Sequence, residues 1–338
     1  DVALFKDTYA PLLRTSAQVP SPDWRLAEPG ETPRDYALRA ARALEAHLQQ
    51  HHATTAALIV EPLVQGATGM AMYDAAYLTE ARALCDRYRV HLIADEIMTG
   101  FGRTGTFFAH EQAEVVPDFL CLSKGITGGY LPLSVVMTTD AIYAAFYDDS
   151  VTRGFLHSHS YTGNALACRA ALATLDIFET ENVIGANRQT SAKITAACEA
   201  IARHPRVRNF RQHGMIWAFE VDTDDPTFAR NFHQRALEKE LLLRPIGNTV
   251  YFMPPYVITE DETAWLTAQI QNQIAVLEAL DETLETAIAP MVNAPIVAAA
   301  PASPPVDPRA GLWAVLSTFD PTQSPPVPKT AFLTTDTI

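Results

Sequence analysis

The sequence has no basic stripe. Its 338 residues carry a formal net charge of -14 at pH 7, and a nucleic-acid binder needs clustered Lys and Arg to meet phosphates, so that function class is excluded. Paired cysteines are also lacking. Cys85, Cys121, Cys168 and Cys198 lie far apart, with no CxxC and no Cys/His cluster. Neither a zinc site nor a disulfide frame is expected, and a reducing, cytoplasmic setting is. No apolar run approaches the ~20 residues of a membrane span, and no signal peptide opens the chain. No GxGxxG follows a strand and opens a helix, which argues against a nicotinamide enzyme. His157 and His159 form a close pair, but no third ligand is near, so no metal is expected. There is no internal repeat.

What is present is apolar patterning. Hydrophobic residues make up 48% of the chain, enough for a sizeable core in two lobes. The spacing predicts a helix over 34–50, a buried strand at AALIVEP (56–62), and a helix from an Asp74 cap to about Arg89. Further strands are read at VHLIADE (90–96), DFLCLSK (118–124) and LPLSVVMT (131–138). Near-continuous apolar strands separated by a helix predict an α/β fold, with a mostly parallel sheet covered on both faces. Helices follow at 140–147, 163–180 and 186–203. A smaller α/β lobe is expected beyond: strands around Gly214 within 206–222, a helix over 227–240, strands at 241–244 and 249–255, and a helix over 261–284. The domain reading is a large domain at 1–203, a small one at 204–284, and a tail at 285–338. That tail holds ten of the 23 prolines, a composition of extended or disordered chain.

Ligands of open α/β sheets bind beyond the carboxyl ends of strands. Three predicted strands end there in ionisable groups: Glu61, Asp95 and Lys124. A carboxylate closing a buried strand is costly unless a positive group meets it. A lysine and acids at one sheet edge suit carbonyl chemistry through a Schiff base, with an acid available for the ring nitrogen of an electron-sink pyridine.

Four stretches carry a resemblance: LIVEPLVQGATGM (58–70), LIADEIMTGFGRTG (92–105), LCLSKGITGGYLPL (120–133) and HSHSYTGNALAC (157–168). With Lys124 set 29 positions beyond Asp95, the chain over 1–284 resembles class III pyridoxal-phosphate aminotransferases of fold type I. The resemblance implies pyridoxal 5'-phosphate as cofactor. Lys124 would be the nucleophile and proton shuttle, and Asp95 would pair with the pyridine nitrogen. Glu61 would lie close to the cofactor, and Ser160 would bind the phosphate of the neighbouring subunit in a homodimer with active sites at the interface. The frame LLRPIGNTVYFMPPY (242–256) is most similar to the biotin-pathway members. It implies 8-amino-7-oxononanoate and S-adenosylmethionine as substrates, Arg244 holding a substrate carboxylate, and Tyr251 and Arg103 nearby. The alternatives are a class III enzyme for another ω-amino acid or diamine, and a non-catalytic remnant. The latter arises because the family carries about 150 further residues before this point, the size of a whole domain. They include a phosphate-binding Gly-Ser pair and a Tyr-His-Gly motif whose ring stacks on the cofactor, so weak cofactor binding is expected of these residues alone.

Overall fold

The computed structural model describes residues 8–13, 16–158 and 160–288. Helix α1, Pro33–His51, starts from a reciprocal cap: the Thr32 hydroxyl accepts the Asp35 amide and the Asp35 carboxylate accepts the Thr32 amide. Its buried stripe, from Tyr36 to Leu48, packs against α2, Ala76–Tyr88. The cap of α2 is Ala75 and not the expected Asp74, whose carboxylate accepts the Ala76 amide at 2.9 Å from one position earlier.

Strand β1 (Ala57–Val60) is followed by a short antiparallel pair, β2 (Val64–Gln65) and β3 (Ala71–Met72). Then come β4 (His91–Asp95), β5 (Phe119–Leu122) and β6 (Val135–Thr138). The main sheet runs β1-β4-β5-β6, the first three parallel and β6 antiparallel. All four strands fall within the apolar runs that predicted them. Helices α3 (Asp140–Ala144) and α4 (Ala165–Thr180) follow.

Side chains alternate across a sheet, and directly opposed residues share a face. One face holds Leu92, Ala94, Leu120 and Leu122. It is buried under α1 and α2 at one end, and under Phe101, Phe107, Phe108 and α4 at the other. The other face carries Ile59, Ile93 and Phe119 in one row, then Asp95, Cys121 and Val136 in the next. It is open among the described residues: Ile59 is 61% and Val136 63% exposed. Cover on both faces is therefore not what is found. An apolar run shows that a face is apolar and says nothing of what lies on it.

A second hydrophobic core, the smaller lobe, draws on α5 (Val183–Ala197) and α6 (Glu199–Ala202), which precede the expected start at 204, and on β7 (Val207–His213), β8 (Ile216–Val221), α7 (Phe228–Glu238), β9 (Thr249–Phe252) and α8 (Glu260–Ile288). Its sheet, β7-β8-β9, is antiparallel. Trp217, Phe219, Phe228 and Phe232 centre its core, with the Trp217 ring stacked on Phe252 at 5.2 Å. Two predictions differ here. The helix expected over 186–203 breaks at Cys198 into α5 and α6. The strand expected at 241–244 is a connection. Leu241 and Leu243 are buried, but the chain enters through Glu240 at φ 58° and no strand pairs with it. Residues 1–282 form one unit and residues 283–338 a second. The tail from 289 lies outside the described residues.

Candidate active site

β1, β4 and β5 are adjacent and parallel, so their carboxyl ends lie side by side. Glu61 immediately follows β1, Asp95 ends β4, and Lys124 comes two residues after β5. Val60 pairs with Ala94 and Asp95 with Cys121, which brings Glu61 alongside Asp95 on the open face. Burial pushes the Glu61 carboxyl above its ordinary range. The Gly66 amide draws it back down, the Asp95 charge raises it and the Lys124 charge lowers it, so both neighbours act on it. The Gly66 N–H donates to Glu61 Oε2 at 2.9 Å, and the Tyr73 hydroxyl donates to the Glu61 carbonyl at 2.7 Å.

Asp95 Oδ1 accepts the Ile97 amide at 3.1 Å. Among the described residues no Lys, Arg or His pairs with Asp95, and no carboxylate pairs with Lys124. Lys124 is exposed and opens a short turn, Lys124–Thr127, at φ 45°. That left-handed conformation is strained for a residue with a side chain, and strain of this kind gathers at functional sites. The turn is tied on both flanks: the Ser123 hydroxyl donates to Leu133 O at 2.8 Å and the Thr127 hydroxyl to Leu131 O at 2.6 Å.

Glu96 points the other way and is fully buried. Its carboxylate meets the Thr99 hydroxyl at 2.9 Å, the Ala109 and His110 amides at 2.8 Å each, and His110 Nδ1 at 2.9 Å. It pins both ends of the glycine-rich loop that carries Arg103. The Arg103 guanidinium lies over the Tyr256 ring at 4.5 Å and donates to Pro254 O at 2.9 Å. The Tyr256 hydroxyl answers by donating to Phe101 O at 2.7 Å. Burial without an acid partner lowers the Arg103 pKa.

The remaining predicted residues stand on separate elements. Ser160 is exposed in a turn, and the cap of α4 is Asn164, whose Oδ1 accepts the Leu166 and Ala167 amides. Arg244 is exposed in the connection before β9. Tyr251, on β9, packs against the large-lobe core, while Phe252 enters the small-lobe core. No hydrogen bond or ion pair joins Ser160, Arg244 or Tyr251 to the Glu61–Asp95–Lys124 group. Among the described residues no cluster of His, Cys, Asp or Glu is fit to hold a metal, and His159 lies outside them.

Pyridoxal phosphate asks for a lysine at its carbonyl and an acid at its ring nitrogen. A lysine and an acid at the carboxyl ends of adjacent parallel strands, neither ion-paired among the described residues, fit that demand. The comparisons agree on the class. The family model described as aminotransferase class-III matches residues 4–274, and the chain belongs to that family, one of pyridoxal-phosphate enzymes.

Within it, the chain is 46% identical over 290 residues to the adenosylmethionine-8-amino-7-oxononanoate aminotransferase of Helicobacter pylori, covering 83% of this chain and 63% of that one. The crystal structure of the enzyme of the same name from Methanocaldococcus jannaschii superposes with a TM-score of 0.73 at 31% identity, over 80% of this chain and 62% of that one. An omega-aminotransferase from Paracoccus denitrificans superposes equally, TM-score 0.73, at 25% identity over 81% of this chain and 64% of its own. The chain thus spans less than two thirds of the length of these relatives.

Proposed function

We propose that this chain is the lysine-bearing part of a pyridoxal-phosphate transaminase that converts 8-amino-7-oxononanoate to 7,8-diaminononanoate, with S-adenosylmethionine as amine donor. The observation that carries the reading is the meeting of Lys124, Asp95 and Glu61 at three adjacent strand ends, in a chain whose similar relatives bear that enzyme's name. When bound, the cofactor supplies a pyridinium ring that spreads negative charge from the substrate carbon.

The residues do the rest. The Lys124 amine would hold the cofactor at its carbonyl position, and as a base it would carry the proton between the substrate carbon and the atom one position away. Asp95 would hold the ring nitrogen, its carboxylate keeping that nitrogen protonated. Glu61 lies at the edge of that pair, its carboxylate steadied by Gly66. Arg244 offers a planar fork to the substrate carboxylate, which a lysine would not match. Tyr251 lines the substrate side. Arg103 stands beneath that side and supports it through Pro254 and Tyr256. Ser160 serves the phosphate of a neighbouring subunit, which makes the working form a homodimer. Four free thiols are consistent with a reducing cytoplasm.

The test uses the full-length protein. Lys124→Ala is expected to abolish transamination with its thermal unfolding unchanged, and Asp95→Asn to slow it by two or more orders of magnitude, about 3 kcal/mol. Turnover of Lys124→Ala near the wild-type rate overturns the assignment. Assaying 8-amino-7-oxononanoate against ω-amino acid/2-oxo acid pairs separates this reading from that of a broader ω-aminotransferase.

A further inference from the structure

Arg211 lies on β7, in the smaller lobe, yet two of its bonds reach the turn that follows Glu61. Its side chain is 2% exposed. Nε donates to Met70 O at 2.9 Å and Nη2 to Gly69 O at 2.6 Å, across more than 140 positions of sequence. Nη1 pairs with Glu220 at 2.7 Å, and Glu220 also meets Arg25, itself held by Asp23, so the guanidinium sits in a balanced cluster of two cations and two anions.

The turn it grips needs gripping. Met70 has φ 53° and Gly69 φ 83°, and a left-handed methionine costs about 1–2 kcal/mol unless something holds it. The Gly69 and Met70 amides both donate back to Gly66 O, at 3.2 and 3.1 Å. The Gly66 amide then points at Glu61 Oε2, 2.9 Å away. A Cβ added at Gly66 would meet the Met98 side chain, so the turn lies close against that residue.

We propose that Arg211 is a positioning residue for Glu61: from the smaller lobe it holds the 66–70 turn closed, and so aims the Gly66 N–H at the Glu61 carboxylate beside Asp95 and Lys124. This rests on the reading of those three residues as the active centre. The guanidinium fork is what the task requires, since one planar group reaches two successive carbonyls and keeps its acid partner. A lysine keeps the charge and loses the second carbonyl.

The test is Arg211→Lys in the full-length protein, alone and combined with Glu61→Gln. The first readout is the titration midpoint of the Glu61 carboxyl in cofactor-free protein, followed by carboxyl infrared or carbon NMR and assigned by Glu61→Gln. Asp95, Lys124 and Tyr73 face that carboxyl and are unchanged in the variant. The midpoint is expected to rise by roughly one pH unit as the amide donor is lost. The second is transamination: Arg211→Lys is expected to lower kcat/KM about tenfold in the wild-type background and not to lower it further in Glu61→Gln. An unmoved midpoint, or equal losses in both backgrounds, overturns the proposal. Where Arg211→Lys does not fold, Glu220→Gln replaces it and loosens the same anchor. The infrared readout judges Arg211 without turnover, so it stands apart from the Lys124→Ala result that judges the active centre.

Discussion

Glu96 follows Asp95 in sequence and has a different task. Asp95 is half-buried and its carboxylate accepts the Ile97 amide, whereas Glu96 is enclosed, accepts from two amides and a hydroxyl, and contacts a histidine. Glu96→Ala would leave the Ala109 and His110 amides buried without acceptors, and is expected to cost about 3 kcal/mol of stability. Urea denaturation measures it, and a loss under about 0.5 kcal/mol, the range of surface changes, would contradict the clamp. His213 gives a pH signature. Burial lowers its pKa, and Nε2 lies 3.1 Å from Gln112 Oε1. The Gln112 amide nitrogen is already donating to Thr104 O and Thr106 Oγ1, so the ring nitrogen must donate. Unfolded histidine takes up its proton near pH ~6.5 and the folded one only below that, so stability is present above this range and falls as pH drops through it, by at most about 1.4 kcal/mol per unit. Denaturation midpoints of wild type and His213→Gln are expected to converge on acidification.

The β7–β8 hairpin turns at Gly214, φ 56°, where a Cβ would overlap the backbone of Arg103 and Thr104. The Met215 amide donates to Arg103 O at 2.8 Å just beyond it. Gly214→Ala is therefore expected to destabilise by roughly 3 kcal/mol, combining strain with displaced backbone; calorimetry showing an unchanged Tm would count against this close approach. The second strand of the hairpin was legible as the apolar run MIWAFEV after Gly214, while RVRNFRQH before it is mostly polar. The strand ends at Glu61, Asp95 and Lys124 were legible for a related reason, since charge stopping an apolar run marks where a sheet ends. The antiparallel sense of β6 was not, because an apolar run has no direction. Leu241 and Leu243 imitate a strand by alternation, but they lack a partner, and pairing is a tertiary property. Arg211 and the His110 contact to Glu96 join positions whose sequence spacing carries no periodic signal.

The large lobe leaves β1 and β6 each with one edge that no other described strand meets. In the segments before and after β6, Tyr130 is 88%, Val151 80% and Leu156 86% exposed, with Val136 and Met137 on the strand itself more than half exposed. Open edges and an apolar surface of this kind invite association. These 338 residues, expressed alone, are expected to self-associate at micromolar concentration. Light scattering that reports a stable monomer would refute this. Among the described residues no helix is long and apolar enough to cross a membrane.

If Lys124 has the role proposed above, its left-handed backbone sets function against thermostability at a single position. Replacing Lys124 with glycine removes the side-chain strain, worth about 1 kcal/mol, together with the amine proposed as the nucleophile. A screen that rewards resistance to heat alone is therefore expected to enrich glycine at this codon, and on the proposed role of Lys124 stabilised variants have to be selected on turnover as well as on melting.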